Sequence, residues 1–113
     1  MVLACIGMMI AYAGNAEAVD AYKKGNLLFH KKQYGDAIKA YESIVNPSVA
    51  VYYNMARAYD KKNQKVWALL YLKKAQKYAC GHMWTTVYHY IESIEKELDL
   101  KPSYDEATVF CAA

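Results

Sequence analysis

The feature that most restricts the fold of this 113-residue chain is a recurrence of small and bulky residues every 31 positions. Ala37 recurs as Ala68, and a large apolar residue follows each of these alanines four positions later. The same interval separates two further pairs, Gly25 and Ala56, and Ala21 and Tyr52. Self-similarity at a period of about 20–50 residues is typical of solenoids, in which each repeat packs on its neighbours. The sequence therefore predicts a repeat architecture.

Apolar residues follow a helical period along most of the chain, and no segment has the alternation of a strand. The predicted helices cover about residues 16–32, 34–45, 47–62, 64–78 and 83–98. Asn46 is a suitable N-cap for the third helix, with Pro47 in its first position. Gly25 lies inside the first helix at a cost of about 1 kcal/mol relative to alanine, which predicts that it permits close helix approach. Gly81 is expected to be the left-handed residue that closes the fourth helix. The predicted fold class is all-α, with two helix pairs and a C-terminal capping helix.

These positions match the pattern of one repeat family, bulky-x2-Leu-Gly-x2-Tyr…Ala-x3-Phe. The first repeat has Ala21, Lys24, Gly25, Leu28, Tyr34, Ala37 and Tyr41. The second has Tyr52, Met55, Ala56, Tyr59, Ala68, Leu72 and Ala75. A third keeps only a first helix, with Trp84, Val87, Tyr88 and Ile91, and here Tyr88 takes the small position. Over residues 18–98 the chain resembles the tetratricopeptide repeat (TPR) family, although its period is 31–32 rather than about 34 residues and its first repeat lacks the leading aromatic.

Within that family the chain is similar to small exported bacterial proteins of the BatE type, on the strength of two sequence stretches, residues 21–26 and 51–59. The resemblance implies a groove, lined by the first helix of each repeat, that binds a peptide or a partner helix. The groove positions are Tyr22, Asn26, Phe29, His30, Tyr53, Asn54, Arg57 and Lys61. Asn26 and Asn54 occupy positions where some members clamp a peptide backbone, and simple solvation of Asn26 is the alternative. Tyr22 replaces the first lysine of that clamp, so we do not expect recognition of a C-terminal carboxylate.

The N-terminal segment, residues 1–18, includes an uninterrupted apolar run from Val2 to Ala13. This run is too short to span a bilayer as a helix, and with Ala16-Glu17-Ala18 it matches a signal peptide and cleavage site without the usual positive start. Cleavage would leave an exported adaptor, whether periplasmic, on the cell surface or extracellular. If the segment is retained, it predicts self-assembly into a fibre or surface layer through Leu3, Ile6, Met9 and Ile10, and any membrane contact would be confined to residues 2–13.

Composition and motifs exclude several other functions. A net charge of +3 with dispersed lysines does not indicate nucleic-acid binding. The sequence has no phosphate-binding loop or nucleophile motif, so we expect no enzyme activity and no cofactor. Cys80, His82 and His89 match no zinc signature, so we expect no metal. Pairing of Cys80 with Cys111 is an open alternative in an oxidising compartment.

The predicted organisation is thus an apolar segment (residues 1–18), a repeat domain (19–100) and an extended tail (101–113). The preferred function is a non-catalytic scaffold or adaptor that binds a protein or peptide. The alternative is a structural subunit that binds copies of itself.

Overall fold

The computed structural model describes the backbone of residues 2–101 and the side chains from Ala16 to Lys101. Over this range the chain forms helices and no strands, which confirms the all-α prediction. The helices are α1 (Val2–His30), α2 (Tyr34–Glu42), α3 (Val49–Lys61), α4 (Lys65–Tyr78) and α5 (Gly81–Glu97). The predicted tail after Lys101, and with it Cys111, lies outside the described residues.

Two compact units divide the chain, residues 1–46 and residues 47–113. The first unit is the α1–α2 pair, and in the second α4 packs against both α3 and α5. The boundary coincides with the Asn46-Pro47-Ser48 loop, where the sequence separates the two predicted repeats. The stacking of these repeats into one solenoid stays a prediction.

The first unit is organised around Tyr41, whose side chain is only 1% exposed. A Cβ atom placed on Gly25 would lie 2.4, 2.7 and 2.8 Å from three atoms of the Tyr41 ring. Carbon atoms pack at about 3.5–4.0 Å, so only glycine leaves room for this ring against α1. The prediction that Gly25 permits close approach of the two helices is confirmed.

Helix α1 begins at Val2, well before the predicted start near Ala16. No proline interrupts the sequence between these positions, and the backbone helix continues through Gly14 and Asn15, which the prediction treated as lying before its start. The 29 residues of α1 extend for about 43 Å, whereas the nine residues of α2 extend for about 14 Å. The side chains proposed for self-assembly, those of Leu3, Ile6, Met9 and Ile10, lie outside the described ones. Over the described residues, no helix combines the length and apolarity needed to cross a membrane.

The second unit has a core of small residues and larger aliphatic ones, namely Ala56, Ala68, Leu69, Leu72, Ala75, Val87, Ile91 and Ile94. Val87 is fully buried, whereas Tyr88 is half-buried and stacks on Trp84 with ring centroids 5.1 Å apart. Val87 lies 31 residues after Ala56. In α5 the 31-residue interval therefore leads to the buried Val87. The sequence pattern had assigned this position to Tyr88, one residue later.

Helix boundaries differ from the prediction where loop geometry decides them. Ser48, rather than Asn46, caps α3, and its Oγ accepts a hydrogen bond from the backbone N–H of Val51 at 3.4 Å. Asn46 has a φ of 56°, a left-handed conformation that asparagine tolerates, so the predicted start at Pro47 is wrong. Gly81 has the expected left-handed φ of 56°, but it is the first residue of α5 and does not close α4. Helix α5 therefore begins two residues before the predicted start at Met83.

Candidate binding surface

The predicted groove residues of the first unit are used largely for packing α1 against α2. Tyr41 donates its hydroxyl hydrogen to Oδ1 of Asn26, and its ring centroid is 6.2 Å from that of Tyr22. The ring of Phe29 makes an edge contact with Tyr34 at 5.2 Å. His30 is exposed at the end of α1. Asn26 is therefore more than a solvated polar residue, because it holds the one polar atom of a buried tyrosine.

In the second unit, residues from α3 and α5 form a connected polar and aromatic cluster. Tyr53 and Tyr90 meet edge to face, with centroids 5.9 Å apart and ring planes at 86°. The guanidinium carbon of Arg57 lies 6.0 Å from the centroid of Tyr53, a distance at which a cation and a ring attract. All three side chains are half-buried, so they are ordered by packing and still reach solvent. We call Tyr53, Arg57 and Tyr90 the α3–α5 cluster.

Asp60 lies beneath the α3–α5 cluster and connects it to α4. Its Oδ2 accepts a hydrogen bond from the hydroxyl of Tyr90, and its Oδ1 pairs with Nζ of Lys65. Burial acts to raise the pKa of Asp60, but the hydrogen bonds from Lys65 and Tyr90 and the charges of Lys65 and Lys61 outweigh it. The pKa of Asp60 is therefore lowered, and its carboxylate is ionised and neutralised by protein groups.

The partners of Asp60 show the complementary shifts. The hydrogen bond to Asp60, followed by that to Glu97, raises the pKa of Lys65, whose Nζ lies 3.1 Å from Oε2 of Glu97. Burial, and then the hydrogen bond to Asp60, raises the pKa of Tyr90 well above its usual value. Tyr90 thus stays a neutral hydrogen-bond donor at physiological pH, and Arg57 is the cation of the cluster that lies beside an aromatic ring.

The structure brings together two of the predicted groove residues of this unit and adds two that sequence reasoning missed. Tyr53 and Arg57 are in contact, Asn54 is half-buried on the same helix, and Lys61 is exposed at its end. Tyr90 and Asp60 were not predicted. Tyr90 lies 31 residues after Tyr59, which was not a predicted groove residue, so the repeat interval did not assign Tyr90 to the groove.

Cys80 is disulfide-bonded, whereas its proposed partner, Cys111, lies outside the described residues. Among the described side chains, no group of three or more His, Cys, Asp or Glu residues is arranged to hold a metal ion. The α3–α5 cluster offers aromatic rings, a guanidinium and a tyrosine hydroxyl.

Comparison with known proteins identified no relative of this chain. The chain matches no family model, and neither a curated protein nor a solved structure matches it significantly. The likeness to tetratricopeptide repeats therefore rests on the sequence pattern.

Proposed function

We propose that this protein is a non-catalytic, TPR-like interaction module of two helix pairs and a capping helix, and that it binds a peptide or partner helix on the α3–α5 cluster. The observation that carries the proposal is the ordered contact of Tyr53, Arg57 and Tyr90. Arginine and tyrosine are enriched among the residues that dominate binding energy at protein interfaces. Held in place before binding, they lose little conformational freedom when a partner arrives.

The chemistry of the cluster favours a partner segment with acidic or carbonyl groups next to an apolar side chain. Asp60 is already paired with Lys65, so it repels an anion less than a free carboxylate would. Arg57 offers a planar array of donors, and the edges and faces of Tyr53 and Tyr90 offer apolar contact. Asn54, next to Tyr53 in the sequence, and Lys61, at the end of α3, extend the surface.

Export is part of the proposal. A disulfide at Cys80 is typical of oxidising compartments, and the apolar N-terminal run is typical of an exported bacterial protein. In this setting Tyr22, Asn26, Phe29 and His30 would form the corresponding surface of the first repeat, with Asn26 held by its hydrogen bond from the buried Tyr41.

The proposal is tested by selecting ligands from a random peptide library on the immobilised protein and measuring their affinity by fluorescence anisotropy. Replacement of both Asn54 and Arg57 by alanine should weaken binding about tenfold or more, because an anchoring arginine contributes roughly 2 kcal/mol. The melting temperature should change little. Lys24→Ala, which removes an exposed charge from α1, serves as the control. A variant that loses stability and keeps its affinity would make these residues structural and refute the assignment.

A second candidate is the self-assembling subunit, and the observation in its favour is the continuous helix from Val2 to His30. A retained helix of this length exceeds α2 by about 30 Å and offers an apolar segment to a neighbouring copy. Head-to-tail contacts of this kind can propagate into fibres, and the tail from residue 101 could reach a neighbour. Light scattering of the full chain and of a variant lacking residues 2–13 distinguishes the two: assemblies that persist without this segment exclude the second candidate.

A further inference from the structure

Helix α4 contributes no residue to the α3–α5 cluster, and its two sides differ in the residues that they carry. The side that faces the core of the second unit carries Ala68, Leu69, Leu72 and Ala75. At 100° per residue, the opposite side carries large apolar residues, namely Val66, Trp67, Leu70 and Tyr78. It also carries three lysines, Lys73, Lys74 and Lys77. We call these two sets together the α4 outer face.

The apolar residues of the α4 outer face are unusually exposed for their size. Val66 is 70% exposed, Trp67 52%, Leu70 44% and Tyr78 61%. Single exposed apolar residues are common, but four on one side of a 14-residue helix form a patch of the kind that marks an interaction site. All charged residues of α4 are lysines. The face is therefore both apolar and positively charged.

Stacked rings hold the α4 outer face in place. The ring of Trp67 lies 5.9 Å from that of Tyr59 at an interplanar angle of 21°, and Tyr59 lies 5.4 Å from Tyr71 at 8°. Nζ of Lys74 lies 4.8 Å from the centroid of the Tyr71 ring. Trp67 is thus half-exposed while its ring is held by stacking on Tyr59, which preorganises it for contact with a partner.

We propose that the α4 outer face docks on an anionic phospholipid bilayer. The charge identifies the occupant, because the α4 outer face carries three lysines and α4 has no carboxylate, so the face complements a negatively charged surface. The lysines alternate around the helix with apolar residues instead of forming a separate patch. This arrangement suits a membrane interface, where lysine stems lie along the apolar region and the ammonium groups reach the phosphates.

The aromatic residues of this face favour a bilayer over an acidic peptide. Tryptophan and tyrosine are the side chains enriched at membrane–water interfaces, and Trp67 and Tyr78 are the two exposed aromatics of α4.

The test is sedimentation of the full chain with vesicles of phosphatidylcholine alone or with one-third phosphatidylglycerol. We expect binding to increase with the anionic lipid. The K73Q/K74Q/K77Q variant should bind the anionic vesicles about a hundredfold more weakly, at roughly fivefold per lysine near a charged surface. The control is K23Q/K24Q/K31Q, with two of its lysines on α1 and the third in the turn after it. This variant removes the same charge from exposed lysines and should lose far less vesicle binding. The run from Val2 to Ala13 is uncharged, so its contribution should not depend on lipid charge.

Tryptophan fluorescence reports whether the α4 outer face itself contacts the vesicle. The chain has two tryptophans, so Trp84→Phe leaves Trp67 as the only one. Its emission should shift to the blue with anionic vesicles, and V66Q/L70Q should reduce both the shift and the binding. The proposal would be overturned if the two triple-lysine variants lost vesicle binding equally, or if the emission of Trp67 were unchanged by anionic vesicles. Binding of a polyglutamate peptide without vesicle binding would overturn it as well and assign the face to an acidic protein.

Discussion

Replacement of Gly25 by alanine is the most direct test of how the first unit is built. Alanine is the better helix former by about 1 kcal/mol, so in an isolated helix the substitution would stabilise α1. In this structure the added Cβ would overlap the ring of Tyr41, with its closest atom only 2.4 Å away. The two effects have opposite signs, and the size of the overlap decides between them.

The overlap exceeds 1 Å relative to an ordinary carbon–carbon contact of about 3.5–4.0 Å, and it involves three ring atoms. An aromatic ring cannot bend away as the end of a flexible side chain can. Moving it would disturb the hydrogen bond from Tyr41 to Asn26 and the contact with Tyr22. Overpacking of this kind costs about 1–3 kcal/mol or more. We expect Gly25→Ala to lower the free energy of unfolding by about 1–3 kcal/mol despite the gain in helix propensity.

A double-mutant cycle isolates the steric cause. Urea unfolding, followed by circular dichroism, is measured for Gly25→Ala, Tyr41→Leu and the double variant. Tyr41→Leu is destabilising by itself, because it removes a buried ring and its hydrogen bond. In that background Gly25→Ala should be neutral or stabilising, by up to about 1 kcal/mol, because the atoms it strikes are gone.

Lys24→Ala is the matched control, since it changes an exposed position of the same helix and should alter stability by less than about 0.5 kcal/mol. Two results would refute the reasoning. One is stabilisation by Gly25→Ala in the wild-type chain. The other is that Gly25→Ala lowers the free energy of unfolding by the same amount whether or not the Tyr41 ring is present.

The remaining predictions concern the second unit. Because the pKa of Asp60 is lowered on folding, its contribution to stability is present above its unfolded pKa of 3.8 and is lost as the pH falls. Asp60→Asn should therefore reduce the free energy of unfolding at neutral pH. It should also flatten the acid limb, the fall of that free energy below neutral pH, when urea unfolding is measured at several pH values. Tyr90→Phe removes a hydrogen bond to that carboxylate and should cost about 1–2 kcal/mol, with the acid limb displaced to higher pH. Since the pKa of Tyr90 is raised, its contribution is complete below about pH 10 and lost above it, and absorbance titration should show a late-titrating tyrosine that Tyr90→Phe removes. Ser48→Ala should lower the stability of α3 by about 0.5–1 kcal/mol in thermal unfolding, and no change would show that the 3.4 Å cap is ineffective.

Local patterns explain why much of the fold could be predicted. The helical spacing of apolar residues and the absence of alternation determine an all-α chain, because each helix closes its own hydrogen bonds over four residues. The small residues at 31-residue intervals mark the helix contacts: Gly25 accommodates Tyr41, and Ala56 and Ala68 are fully buried. Such positions are recognisable because close approach of two helices leaves room for few side chains.

The candidate site was predicted in part. Tyr53 and Arg57 could be placed on one face of α3 from their spacing alone. The role of Asn26 could not, because its partner Tyr41 is 15 residues away on another helix. The ring of Tyr90 and the carboxylate of Asp60, 30 residues apart, meet for the same reason only in the folded unit.

By itself the sequence determined the all-helical class and the order of the helices, although not all of their boundaries. It also determined the repeat interval and the small residues that let paired helices touch, since these depend on neighbouring residues or on a recurring spacing. Only the tertiary structure decided that Val87 rather than Tyr88 enters the core, that Asp60 is neutralised by Lys65 and Tyr90, and that Trp67 stays half-exposed. Each of these outcomes depends on the rotation of one helix against another. A difference of one residue turns a helix by about 100°, and this angle separates a buried side chain from one that meets solvent.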